Sequence, residues 1–195
     1  MKFIKWVRTL LPERIVQEPQ ATAEDEYAYP TIIVPEQVCE ATTRGLRSHG
    51  PQGTDHEGVV IWAGVTIENM GAKFVTSCIV PEADTSPGSF DITPAADARV
   101  VQTINEYDLS GIGLLHSHPG PNTDHSRGDE KDAGLVFDGY YSIVVPNYGT
   151  DGVRPLTQCG VHRYEQGRFR RLSNDIVEQQ FVTIPSLPTY IDTSE

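Results

Sequence analysis

Cysteine is scarce in this sequence, and basic residues are outnumbered. Only three cysteines occur, Cys39, Cys78 and Cys159, far apart and with no Cys-x-x-Cys pair. That excludes a disulfide scaffold and a cysteine-based zinc knuckle, and it suits a reducing, cytoplasmic setting. There is no His-Glu-x-x-His of the zincin type and no Pro-Cys-x-x-Cys of the zinc deaminases. Lys and Arg number 15 against 27 Asp and Glu, for a net charge of -12 and a pI of about 4.8. With no long basic run, nucleic acid is not an expected partner. No apolar run is long enough to cross a bilayer, so stable membrane insertion is not expected. The opening MKFIKWVRTLLPERI is interrupted by charge and lacks a cleavage site of small residues, so it does not read as a signal peptide.

What is present is enough for a core. Hydrophobic residues make up 38% and charged residues 22% of 195, a content that folds without a metal or disulfide to hold it together. Phe3, Trp6, Val7, Leu10 and Leu11 share one face of a short N-terminal helix. Residues 17–30, acidic and carrying prolines, read as a linker. A helix is predicted over about 36–48, followed by a hairpin of GVVIWAGVTI and AKFVTSCIV turning at Asn69–Gly71. EADTSPGSFD reads as a loop. Thr93 and Pro94 open a helix over about 94–107. GIGLLHSH is a buried strand, SRGDEKDAGLVF a helix beginning at Ser126, and YYSIVVPNY a strand. QCGVHRYEQGRFRRL reads as two strands around Gly167. The tail from Asn174, with Pro185 and Pro188, is expected to be irregular. Strands and helices mix without regular βαβ alternation, which predicts α/β in the broad sense: a mixed α+β domain with a curved mixed sheet flanked by helices.

The chemistry concentrates in LLHSHPGPNTDHSRGDE. His116 and His118, two apart on a strand, present both imidazoles on one face at the strand's open end. Asp129, eleven residues after His118, falls in the first turn of the helix that starts at Ser126, and the loop between is long enough to fold that turn back over the strand. Two imidazoles and a carboxylate make three protein ligands and leave a fourth tetrahedral position open, the arrangement of a catalytic zinc site. Ser126-x-x-Asp129 also has the pattern of a helix cap, and the two roles are compatible. His125 and His56 are expected as solvent-exposed loop histidines; His49 and His162 have no evident partners. Cys78 reads as a small buried residue.

His116-Ser117-His118, seven residues, Ser126, two residues, Asp129 resembles the JAMM motif of the MPN+ (JAB-domain) zinc metalloproteases at each defined position, in the manner of the prokaryotic deubiquitinase-like branch. The resemblance covers about residues 30–172. It implies a single JAB/MPN domain with a layout like that of cytidine deaminases, preceded by an N-terminal helix and acidic linker (1–29) and followed by a C-terminal extension (173–195). It implies Zn2+ on His116, His118 and Asp129 and an upstream glutamate as general base. Glu57, directly ahead of the apolar strand, fits that place better than Glu68 at the strand's far end. Ser126 would donate to the developing oxyanion. The implied activity is a metallo-isopeptidase that hydrolyses the amide bond after the C-terminal tail of a ubiquitin-like protein, by deconjugation from lysine or by precursor processing. The tail would lie between the segment Glu82 to Asp91 and the loop Pro119 to His125. Bacterial relatives act beside ubiquitin-like conjugation genes with E1/E2-like enzymes, including antiviral defence operons. The alternatives are a sulfur-carrier-protein processing protease and a non-catalytic MPN-type scaffold.

Overall fold

Alternation along one strand sorts the interior into two cores. On β2 (Val59–Ile67), Val60 and Trp62 turn to one side, and Val59 and Ile61 to the other, as the two-residue period of a strand requires. The computed structural model describes residues 29–51, 54–126, 128–129 and 136–185. Around β2 they place β1 (Thr31–Pro35), α1 (Glu36–Leu46), β3 (Ala72–Ile79), β4 (Asp84–Ser86), β5 (Ser89–Asp91), α2 (Pro94–Glu106) and β6 (Ser110–Ser117). Then come β7 (Tyr141–Val145), β8 (Gly160–Glu165), β9 (Arg168–Arg171), α3 (Asn174–Gln180) and β10 (Phe181–Ile184).

Eight strands form one sheet in the order β10-β1-β3-β2-β6-β7-β8-β9, and β4 pairs with β5 apart from it. The sheet is mixed: β1 runs parallel to β10 and β3, and β6 parallel to β7, while the other neighbours are antiparallel. This is the curved mixed sheet flanked by helices that the sequence predicts, with three α-helices among the described residues. On one face, α1 and α3 cover a core of Ile32, Leu46, Trp62, Leu115, Ile143, Val177 and neighbours. The buried indole is satisfied: Trp62 Nε1 donates to Thr42 Oγ1 at 2.7 Å, and that hydroxyl donates to Val38 O at 2.7 Å. On the other face, α2 and the β4–β5 hairpin bring Phe90, Ile92 and Ala96 against Ile61, Leu114 and Tyr140. The cap of α2 is as predicted, with Thr93 accepting from Ala96 N–H and Pro94 at the first helical position.

Two expectations change. EADTSPGSFD is not a plain loop, because Asp84–Ser86 and Ser89–Asp91 pair as a short hairpin anchored by buried Phe90. The described residues 174–184 are not irregular either. Ser173 accepts from Ile176 N–H to start α3, and β10 then lies along β1, with Phe181 opposite Ile32 and Thr183 opposite Val34. A four-residue strand stabilised by a partner some 150 residues away carries no local signal. The predicted N-terminal helix and linker up to residue 28 lie outside the described residues, and so does most of the predicted helix beginning at Ser126. No helix among the described residues is long and apolar enough to cross a membrane.

Candidate metal centre

Strand β6 carries the first two ligands to the edge of the second core. His116 pairs with Val59, is wholly buried, and packs its ring 5.1 Å from that of Phe90. Past the strand end, His118 is fixed by its main chain. Its N–H donates to Val145 O at 2.8 Å, and its carbonyl accepts from Tyr148 N–H at 2.8 Å. Its Nδ1 donates to Asn122 O at 2.9 Å, which leaves the Nε2 lone pair free for the site.

The loop from Pro119 to His125 folds back because several contacts tie it down. Asn147 N–H donates to Gly120 O at 3.1 Å, and Asp124 N–H to Asn122 Oδ1 at 3.1 Å. Arg171 pairs with Asp124 and donates to Thr123 Oγ1 at 2.9 Å. Gly160 lets the loop backbone press onto β8, since a Cβ there would stand 1.8 Å from Thr123 O. Ser126 Oγ then accepts from Gly128 and Asp129 N–H at 3.1 and 3.2 Å, and Ser126 N–H donates to Asp129 Oδ2 at 2.6 Å. The cap expected of Ser126 is therefore present, and its own hydroxyl proton remains available to donate.

The result is a triangle of donor atoms. His116 Nε2 lies 3.2 Å from His118 Nε2, and Asp129 Oδ2 lies 3.5 Å from the first and 3.3 Å from the second. Tetrahedral zinc with bonds of about 2.0–2.1 Å requires ligand atoms about 3.3–3.4 Å apart. This His-His-Asp group is thus shaped to hold a metal ion, with one coordination position free of protein ligands among the described residues. Burial works against ionisation of Asp129, but the two imidazoles beside it and the Ser126 N–H outweigh it and hold the carboxyl far below its usual range. A carboxylate that stays ionised and a fully buried His116 kept neutral by burial are the protonation states a cation needs.

Glu57 arrives from the other side. It is 5% exposed, immediately precedes the strand that pairs with β6, and donates its N–H to Ser86 O at 2.9 Å. Burial pushes its carboxyl up to about 7; the charge on His118 pulls down and that on Asp129 pushes up. Both charges belong to the metal group, so Glu57 feels the centre directly. Glu68 lies exposed in a short turn at the far end of β2.

Four histidines depart from expectation. His125 is not a solvent-exposed loop residue: its ring stacks on His162 at 4.0 Å, meets Phe169 edge-on at 4.9 Å, and shares a hydrogen bond with Ser142 Oγ at 2.8 Å. His162 therefore has a partner, and it also donates from Nδ1 to Gly160 O at 3.1 Å. His56 is half-buried and bonds Thr85 Oγ1 at 3.0 Å. His49, given no partner by the sequence, bonds Val59 O at 2.9 Å. Ser117, between the two histidines, is expected on the other strand face in packing or hydrogen bonding, and its Oγ accepts from Gly58 N–H. The Glu82 to Asp91 segment is in contact with the centre through Phe90, Ser86 and Thr85.

No protein-family model matches the chain, and no curated protein matches it. Among solved structures, the fold is similar to the solution structure of protein DSY2949 from Desulfitobacterium hafniense. The two are 16% identical, with a TM-score of 0.55 over 80% of this chain and 95% of that chain. A likeness at this identity is one of fold.

Proposed function

We propose that this chain is a zinc-dependent isopeptidase of the JAMM type, cleaving the amide bond that follows the C-terminal tail of a ubiquitin-like protein. The observation that carries the reading is the convergence of His116 Nε2, His118 Nε2 and Asp129 Oδ2 to within 3.5 Å of one another, with buried Glu57 coupled to the same group.

His116, His118 and Asp129 would hold the ion, which supplies Lewis-acid polarisation of a water and of the scissile carbonyl when bound. Glu57 takes the proton of the attacking water and returns it to the departing amine. A carboxyl pushed up to about 7 is matched to that two-way transfer at neutral pH. The Ser126 hydroxyl, which already accepts two backbone N–H groups, has its proton left to donate to the developing oxyanion. The β4–β5 hairpin and the pinned loop Pro119 to His125 flank the centre and would form the walls along which an extended tail lies.

A ubiquitin-like protein carrying a short C-terminal extension is the substrate to test. Release of the extension that stops with a chelator and returns with zinc supports the reading. Intact fusion in the presence of stoichiometric zinc argues for a scaffold instead. A fusion to a sulfur-carrier protein, run alongside, separates the two substrate classes.

A further inference from the structure

Two nitrogens beside the centre have nothing to bond. His116 Nδ1 and His125 Nδ1 are both sealed from solvent and have no hydrogen-bond partner among the described residues. Leaving a buried polar atom unmatched is costly, and a metal-ligating imidazole almost always donates its second N–H to a carboxylate, a carbonyl or water. The rings that bear the two atoms are neighbours, tilted by 40° with centroids 6.2 Å apart, and the two nitrogens make no direct bond to each other. No carboxylate or carbonyl serves His116 Nδ1, so the neighbouring imidazole is the available acceptor.

We infer that His125 is a positioning residue for the metal ligand His116, linked to it Nδ1 to Nδ1 through one internal water. In this link the 2.8 Å contact between His125 Nε2 and Ser142 Oγ is a donation by the Nε2–H, which leaves a lone pair on His125 Nδ1. The water donates to that lone pair and accepts from His116 Nδ1–H. His116 is thereby held in the tautomer that turns its Nε2 lone pair to the ion. Stacking against His162 and the edge contact with Phe169 hold the His125 ring in place. His125 stands at the residue before Ser126, inside the loop that joins the ligands, so a change there acts on the centre without removing a ligand.

This inference rests on the metal-site part of the proposed function, and the test separates the two. Zinc affinity is measured by competition with a chromophoric chelator for the wild type, His125→Phe and His125→Asn. Phe keeps the stacking volume and removes the acceptor, whereas Asn places an oxygen near the position of Nδ1. A loss of about 10–100-fold for His125→Phe, largely recovered in His125→Asn, is expected. A Co(II) spectrum shifted in Phe and restored in Asn is the accompanying signature. Equal affinity and an unchanged spectrum, with only the melting temperature lowered, overturn the inference while leaving the metal site intact. If His125→Phe does not fold, or if the wild type binds no zinc and the proposed function falls, nitrogen NMR of the metal-free wild type still decides. Protons on His116 Nδ1 and His125 Nε2 support the link; a proton on His116 Nε2 or on His125 Nδ1 overturns it.

Discussion

The hydroxyl of Ser117 accepts the backbone N–H of Gly58 at 2.9 Å, and Ser117 N–H donates back to Gly58 O at 3.0 Å. The residue between the two histidines is thereby bonded to the residue after Glu57. One short span of main chain fixes where the carboxylate stands relative to the ligands. Ser117→Ala leaves the buried Gly58 N–H without an acceptor, at a cost of about 1–3 kcal/mol. We expect denaturant unfolding to show that loss, zinc content to stay at one per chain, and turnover to fall. Full turnover at wild-type stability would mean that the bond does not set the position of Glu57.

Glu57→Gln keeps the shape of the side chain and removes the base. We expect cleavage of the ubiquitin-like fusion to drop by a factor of about 100 or more, the usual contribution of a general base, with zinc affinity nearly unchanged. Loss of zinc from the same variant would place Glu57 among the ligands instead.

The same carboxyl gives a pH signature in chelator-treated protein. Folded, Glu57 holds its proton up to about 7; unfolded, it ionises near 4.5. Between these values the folded chain binds more protons than the unfolded one, so stability falls as pH rises through the window and levels off above it. Glu57→Gln lacks this slope. Its urea midpoint should gain on the wild type from pH 4.5 to 7 and hold that gain beyond. Parallel curves for the two proteins are the result that counts against a raised Glu57.

Metal removal should be visible in stability as well as activity. Zinc at a hundredfold excess over its dissociation constant stabilises a folded chain by about 2.7 kcal/mol. Asp129→Asn loses the charge that both imidazoles face at 3.3 and 3.5 Å, and thermal melts of that variant should no longer respond to added zinc. A zinc-dependent shift that survives the substitution would remove Asp129 from the ligand set.

Gly160→Ala tests the loop rather than the ligands. The new methyl would meet Thr123 O at 1.8 Å, so the loop must lift from β8. Zinc affinity should fall although no ligand has been touched, and circular dichroism should remain that of the wild type. Unaltered affinity would show that the loop's seating on β8 is irrelevant to the centre.

The His116, His118 and Asp129 group was legible in the sequence because its logic is local. A two-residue strand spacing, a chain break at Pro119 and a capping pattern at Ser126 fall within one short segment. Glu57 required a resemblance to a family, because nothing around it announces a carboxylate brought next to β6 by pairing. His125, His162 and Ser142 were out of reach for another reason. Their encounter depends on the loop folding onto β8, and a lone histidine in a polar loop looks the same whether it is exposed or stacked. β10 belongs with them: FVTI is too short to declare itself, and the partner that makes it a strand sits at the opposite end of the domain.

That last pairing bears on which border the sheet leaves open. By lying along Ile32, Ile33 and Val34, β10 takes up main-chain donors and acceptors of β1 and leaves its own four residues, Phe181–Ile184, as the shorter edge. A chain cut after Leu172 would bare the longer apolar border of β1. It should form higher-order species in light scattering even where the His-His-Asp group is undisturbed.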